Sequence, residues 1–159
     1  MKSLRRFDIR ERYYFITNVT FNREQLLLND IDLFWRSWEA TELDAWVIMN
    51  DHFHIVLHIT DKSVSELMHR FKVLYSMEYR KRYRPSRVWQ NRFWDHIIRN
   101  QDDYNKHLNY IHFNPVKHGI ITNPLAYEYS SFGQYVKLGY YDQYGIDNLG
   151  PEIEGAFGE

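Results

Sequence analysis

Two histidines flank one bulky apolar residue in His52-Phe53-His54, inside the run Asn50-Asp51-His52-Phe53-His54-Ile55-Val56-Leu57-His58-Ile59. Side chains alternate along a strand, so His52 and His54 face one way and Phe53 enters the opposite layer. Paired imidazoles on a rigid strand can hold one divalent metal ion. The triplet alone is also what a half-buried strand with a polar face would show. A second segment, Tyr110-Ile111-His112-Phe113-Asn114-Pro115, adds to it. If a helix runs from Asp103 through Asn114, Tyr110 and Asn114 stand one turn apart on one face. Should that face meet the histidines, it brings a phenol and a carboxamide oxygen to them. Such a kit suits phosphodiester transfer. A metal polarises the phosphate, the tyrosine attacks phosphorus, and a neutral amide ligand leaves the site positive for an anionic substrate.

The flanking sequence supplies elements to position these groups. Residues 13–20 (Tyr-Tyr-Phe-Ile-Thr-Asn-Val-Thr) are aromatic and β-branched, a strand. Residues 22–28 connect it, with room for a helical turn, to a helix capped by Asp30 and running to about residue 41. Ile31, Phe34, Trp35 and Trp38 recur there at helical spacing. Residues 44–49 form a second strand, Asn50-Asp51 a tight turn, and residues 52–59 a third strand. Ser63 and Glu66 read as a capping box opening a helix that Arg84-Pro85-Ser86 ends. A fourth strand lies within residues 88–99, clearest over 93–98. Asp102 caps a last helix that Pro115 and Gly119 break, and residues 127–158 read as irregular. The order strand, helix, strand, strand, helix, strand, helix predicts an α+β fold: a ferredoxin-like or RRM-like four-stranded antiparallel sheet with helices packed on one face.

The 159 residues suffice for one domain with a substantial core. No cysteine is present, which excludes disulfides and thiolate metal sites. No apolar stretch is long enough to span a membrane, so a soluble cytoplasmic protein is expected, with no membrane partner. The formal net charge is −1, but it is unevenly spread. Residues 142–159 hold Asp142, Asp147, Glu152, Glu154 and Glu159 and no Lys or Arg, an acidic C-terminal tail after a domain of residues 1–141. Between Arg70 and Arg99, nine Lys and Arg face two acids, Glu78 and Asp95. Arg82, Arg84, Arg87 and Arg92 of this zone are candidate DNA-binding residues, since clustered cations can track phosphates on a neutral chain. A solvated helix face explains part of the same pattern.

Three motifs together resemble one family, the HUH-type tyrosine transposases, and within it the REP-associated tyrosine transposases of bacteria. The resemblance covers residues 12–135. Met49-Asn50-Asp51-His52-Phe53-His54 resembles the family's Met-Pro-Asn-His-hydrophobe-His, with Asn-Asp in place of Pro-Asn. Val88-Trp89-Gln90 and Phe93-Trp94-Asp95-His96 are similar to its Trp-Gln…Tyr-Asp-His strand. Tyr110-Ile111-His112-Phe113-Asn114-Pro115-Val116-Lys117-His118-Gly119 is similar to its Tyr-Ile-x-x-Asn-Pro-hydrophobe-basic-x-Gly helix end, and Tyr129-Ser130-Ser131 to a late aromatic-Ser-Ser element. The resemblance implies a transposase that cleaves and rejoins single-stranded or hairpin DNA. Tyr110 would be the nucleophile, forming a 5′-phosphotyrosyl intermediate. His52, His54 and Asn114 would hold Mg²⁺ or Mn²⁺. The family includes monomers and homodimers, so a homodimer is one of the assemblies it allows.

Plainer roles are open to several other groups. His96 either lines the site or orders a ligand from outside it. His58 reads as a sheet-face histidine, Asp95 as the partner of a nearby arginine, Trp89 as a buried tryptophan, and His112 as a surface residue. Two rival functions share the fold. One is an RRM-like module whose aromatics bind single-stranded nucleic acid without chemistry. The other is a metal-dependent nuclease using activated water, with Tyr110 merely structural.

Overall fold

The computed structural model describes residues 12–39, 42–61 and 63–141. Four strands, β1 (Arg12–Val19), β2 (Leu43–Ile48), β3 (His52–Ile59) and β4 (Trp94–Ile97), form one antiparallel sheet in the order β2-β3-β1-β4. Helices α1 (Ile31–Ser37), α2 (Val64–Arg82), α3 (Gln101–Lys117) and α4 (Phe132–Lys137) complete it. This is the expected α+β class and the expected ferredoxin-like strand order. The acidic tail of residues 142–159 lies outside the described residues.

The helices cover both faces, where one covered face was expected. Ile16, Ile48, Phe53, Ile55 and Leu57 pack with α1 and α2 in one core. Tyr13, Phe15, Ala45, Val47 and Val56 pack with α3 and α4 in the other. The reason is visible in β1 and β3, whose apolar residues run continuously instead of alternating with polar ones; such strands need cover on both sides. The two crossover helices take one face, and the helix after β4 returns over the other.

Local signals explain most boundaries. Asp30 accepts from Leu33 N–H at 3.0 Å to cap α1, which ends at Ser37, short of the expected residue 41. Ser63 and Glu66 close the capping box of α2. The cap of α3 is Asn100, not Asp102: its side chain accepts from Asp103 N–H at 2.9 Å. Pro115 does not break α3, which continues to Lys117. A proline so near a helix end forfeits only its bond to the carbonyl four residues back. The stop is Gly119, at φ +70°, a conformation costly for residues with a Cβ. Ile120 N–H then reaches Pro115 O at 3.0 Å and Gly119 N–H reaches Val116 O at 2.9 Å, the paired bonds of a Schellman end.

Residues 125–141 are more regular than expected. Ser130 bridges to Val47 beside edge strand β2, and Phe132 and Tyr135 of α4 are buried against α3. His112, expected at the surface, is fully buried beneath them. Its Nδ1 lies 2.5 Å from Tyr141 Oη and its Nε2 2.8 Å from Ser131 Oγ, and Ser131 Oγ donates to Trp46 O. With the Ser131 proton so committed, Nε2–H donates to Ser131 and Nδ1 accepts from Tyr141, a neutral ring. Burial drives the His112 imidazole down to about 3 from 6.5. In the unfolded chain the ring takes a proton near 6.5, so stability is full above that pH and is lost as pH falls toward 3. Chemical denaturation from pH 7 to pH 4 should show stability falling by roughly 1 kcal/mol per pH unit from this group. The same slope in His112→Gln would reject this source.

Candidate active site

The first turn of β3 and the last turns of α3 meet on the α3 side of the sheet. His52 and His54 are buried there, and Phe53 enters the opposite core against Phe34 and Phe71, as alternation requires. Asn114, also fully buried, spans the pair: Oδ1 is 3.3 Å from His52 Nε2, and Nδ2 is 3.3 Å from His54 Nε2. Tyr110, one turn earlier on α3, sets its ring edge-on to His54 with centroids 5.1 Å apart. Thus the four residues singled out in the sequence come together in one place.

Each histidine is held from behind. His52 Nδ1 lies 2.6 Å from Asp51 Oδ1, and His54 Nδ1 lies 2.7 Å from Thr17 Oγ1. Asp51 Oδ2 in turn accepts from Arg23 Nε at 3.0 Å. Burial works to raise the Asp51 carboxyl, but the His52 bond and the charges of His52 and Arg23 outweigh it and hold the carboxyl below its usual value. An ionised Asp51 only accepts, so His52 Nδ1 is the donor, and Nε2 is the ring nitrogen turned toward Asn114. His52 Nε2, His54 Nε2 and the Asn114 amide thus converge, a donor set that a shared cation can bind. Ring nitrogens secured from outside, with the inner ones converging on an amide, are the arrangement of metal-ligating histidines. The residues present therefore fit a divalent ion. Arg23 and Asn22 both adopt φ of 53°, unusual for residues with a Cβ, and this bend delivers the guanidinium to Asp51.

Lys117 was not foreseen as a site residue. Two turns beyond Tyr110, its Nζ donates to Tyr110 Oη at 3.0 Å and stands 4.6 Å from the ring centroid. An ammonium there favours negative charge developing on the phenol oxygen. His118 is a second addition, its ring 5.1 Å from that of His52. The spacing of Tyr110 and Lys117, seven residues on one helix, was available in sequence, but only if the helix was carried past Pro115.

His96 points elsewhere. It pairs with Asp103 at 2.8 Å and stacks on His107, while the Phe15 ring stands beside both His54 and His107. His58 stacks on Tyr13, and Trp89 is buried as expected. Asp95 is exposed and has no ion pair among the described residues, contrary to its expected arginine partner. In the basic zone, Arg82 pairs with Asp30 and Arg84 with Glu24. Arg87 lies over Phe21 and donates to Trp89 O, while Arg92 is exposed. The Arg87 loop is tied to the β1 end beside the turn that leads into His52, through Phe21 N–H to Val88 O and Thr20 N–H to Asp51 O, both 2.8 Å.

Residues 10–112 match the family model described as Transposase IS200 like. The chain belongs to this family. A Haemophilus influenzae protein provisionally named a REP-associated tyrosine transposase is 32% identical over 162 residues, covering 90% of this chain and 92% of that protein. The REP-associated tyrosine transposase of Escherichia coli is 29% identical over 170 residues, covering 100% and 98%. A solved structure of a REP-associated tyrosine transposase bound to a REP hairpin superimposes with a TM-score of 0.79 at 29% identity, covering 100% and 98% of the two chains. The described residues thus share the fold of a REP-associated tyrosine transposase. Among the described residues, no helix is long and apolar enough to cross a membrane.

Proposed function

We propose that this transposase cleaves and rejoins single-stranded DNA beside a hairpin, through a covalent bond between phosphorus and Tyr110 Oη. The observation that carries the reading is the packing of Tyr110 against His54 with Asn114, one turn on, bridging both histidines. His52, His54 and Asn114 would hold Mg²⁺ or Mn²⁺, which supplies charge neutralisation of the phosphate. Lys117 stabilises the phenol oxygen as its proton leaves to solvent. Tyr110 Oη bonds to phosphorus, the bond from phosphorus to the 3′-oxygen breaks, and that oxygen takes up a proton. One phosphodiester replaces another, so no external energy source is needed and attack by the 3′-hydroxyl restores the strand.

Hairpin DNA as substrate is supported by the relative whose structure is bound to a REP hairpin. Arg87 and Arg92 stand at the end of the sheet where β3 begins and are the better candidates for a phosphate track. Arg82 and Arg84 already neutralise Asp30 and Glu24 and would have to exchange partners.

The direct test is incubation with a labelled single-stranded hairpin library and Mn²⁺. An adduct that survives denaturant and yields a peptide containing Tyr110 supports the reading. Cleavage without an adduct would favour a water-activating nuclease, and binding without cleavage an RRM-like module. Lys117→Met should slow single-turnover cleavage by on the order of 10²-fold with little change in DNA affinity, and Lys117→Arg should restore much of it. Equal rates in Lys117→Met and wild type would remove Lys117 from the mechanism.

A further inference from the structure

Apart from the pair at β3, the described residues bring together one further group of metal-binding side chains. His96 on β4 and Asp103 and His107 on α3 each place a ligand atom within 4.8 Å of the other two. We propose that these three residues form a second metal site, for a transition-metal dication such as Zn²⁺, distinct from the site at His52 and His54.

Proximity is only the first support. The Asp103 carboxylate is nearly buried and fixed in place: Arg99 N–H donates to its Oδ2 at 3.0 Å, and its Oδ1 lies 3.3 Å from His107 Nδ1. His107 Nδ1 donates to the backbone oxygen of Asp103 at 2.8 Å. A backbone carbonyl on one ring nitrogen sets the tautomer of a ligating imidazole and leaves the other nitrogen its lone pair. Burial keeps the His107 ring below the usual histidine value, against the opposing pull of Asp103. A neutral ring is what ligation requires. Asp103 and His107 are four residues apart on one helical face, and β4 presents His96 from the register position opposite Phe15.

The donor set selects the ion. Two imidazoles and one carboxylate suit Zn²⁺, Co²⁺ or Ni²⁺, whereas Mg²⁺ prefers oxygen ligands and water. The Arg99 guanidinium lies 3.3 Å from Asp103 Oδ2, but its side chain is 73% exposed and can withdraw into water when a dication arrives. His107 precedes Tyr110 by three residues, so an ion here would tie the helix carrying Tyr110 to the edge strand β4. Among the described residues, β4 pairs with the sheet only through β1.

The test counts ions in the untagged full-length chain, stripped of metal, loaded with Zn²⁺ and passed through gel filtration. Wild type should retain two ions, and His96→Ala, Asp103→Asn and the double variant His52→Ala/His54→Ala one each. Combining His96→Ala with that double variant should leave none. Zn²⁺ should raise the melting temperature of His52→Ala/His54→Ala but not of the triple variant. Asp103→Asn keeps the shape of the side chain, which guards against a folding defect in His96→Ala. Two ions retained in both His96→Ala and Asp103→Asn would overturn the site. So would a single wild-type ion that vanishes with His52 and His54. One ion lost only with His96 would support this site while rejecting the other.

Discussion

Tyr110→Phe should abolish cleavage of a single-stranded hairpin substrate and the covalent adduct with it, while fold, metal uptake and DNA affinity stay near wild type. The variant removes one oxygen. The ring keeps its edge-on contacts with His54 and Phe15, and only the bond from Lys117, made at the exposed end of α3, is lost. Such a bond from a charged group is worth roughly 1.5–3 kcal/mol, too little to unfold the domain. Removal of a nucleophile has no comparable substitute, so single-turnover rates should fall by at least about 10⁴-fold. The chain has 13 tyrosines, and Tyr110, itself buried, is set apart by its contacts with His54 and Lys117. Burial, first of all, raises the phenols of Tyr75, Tyr104, Tyr127 and Tyr141 above the usual range. Tyr104 is also bonded to Tyr135. An adduct on any other tyrosine would refute the assignment.

The second large effect concerns the histidines. His52→Ala/His54→Ala should eliminate Mg²⁺- or Mn²⁺-dependent cleavage, again by several orders of magnitude. Both rings are buried, so the double variant also loses packing and the bonds to Asp51 and Thr17. A chelator offers a second route to the same result without touching the fold: wild-type cleavage should stop on chelation and resume with added Mn²⁺. Because ligating imidazoles must be neutral, the Mn²⁺ concentration needed for half-maximal cleavage should rise in mildly acidic buffer. Full cleavage in excess chelator, or in the double variant at wild-type rate, would place the chemistry elsewhere.

The parts of this molecule set by local rules were legible in its sequence. Alternation placed His52 and His54 on one face and Phe53 on the other. Helical spacing placed Tyr110 over Asn114, and the Ser63–Glu66 box opened α2. What escaped depends on partners distant in sequence. Thr17 supports His54 because β1 pairs with β3 in that register, which no local pattern reveals. His112 is buried because α4 and Tyr141 fold over it, in a stretch whose scattered aromatics show no period. Lys117 was hidden by Pro115: a proline usually ends a helix, yet within the last turn it costs little, and Gly119 sets the end instead. The second covered face was available in principle, from the unbroken apolar runs of β1 and β3.

β3 also bears on how this protein can change over time. Its residues from His52 to Leu57 are all buried, alternating between candidate ligands or one core on one side and the other core on the opposite side. No position in that stretch is neutral. Truncating Phe53 would cost about 3–5 kcal/mol of stability in one core and loosen the spacing of the histidines it separates. Lineages diverging in target preference would therefore accumulate their differences outside this strand. The exposed outer surface of α2 and the exposed arginines Arg87 and Arg92 are where substitutions meet water instead of a packed neighbour. A mutational scan should trace this division as a silent strand inside a variable shell.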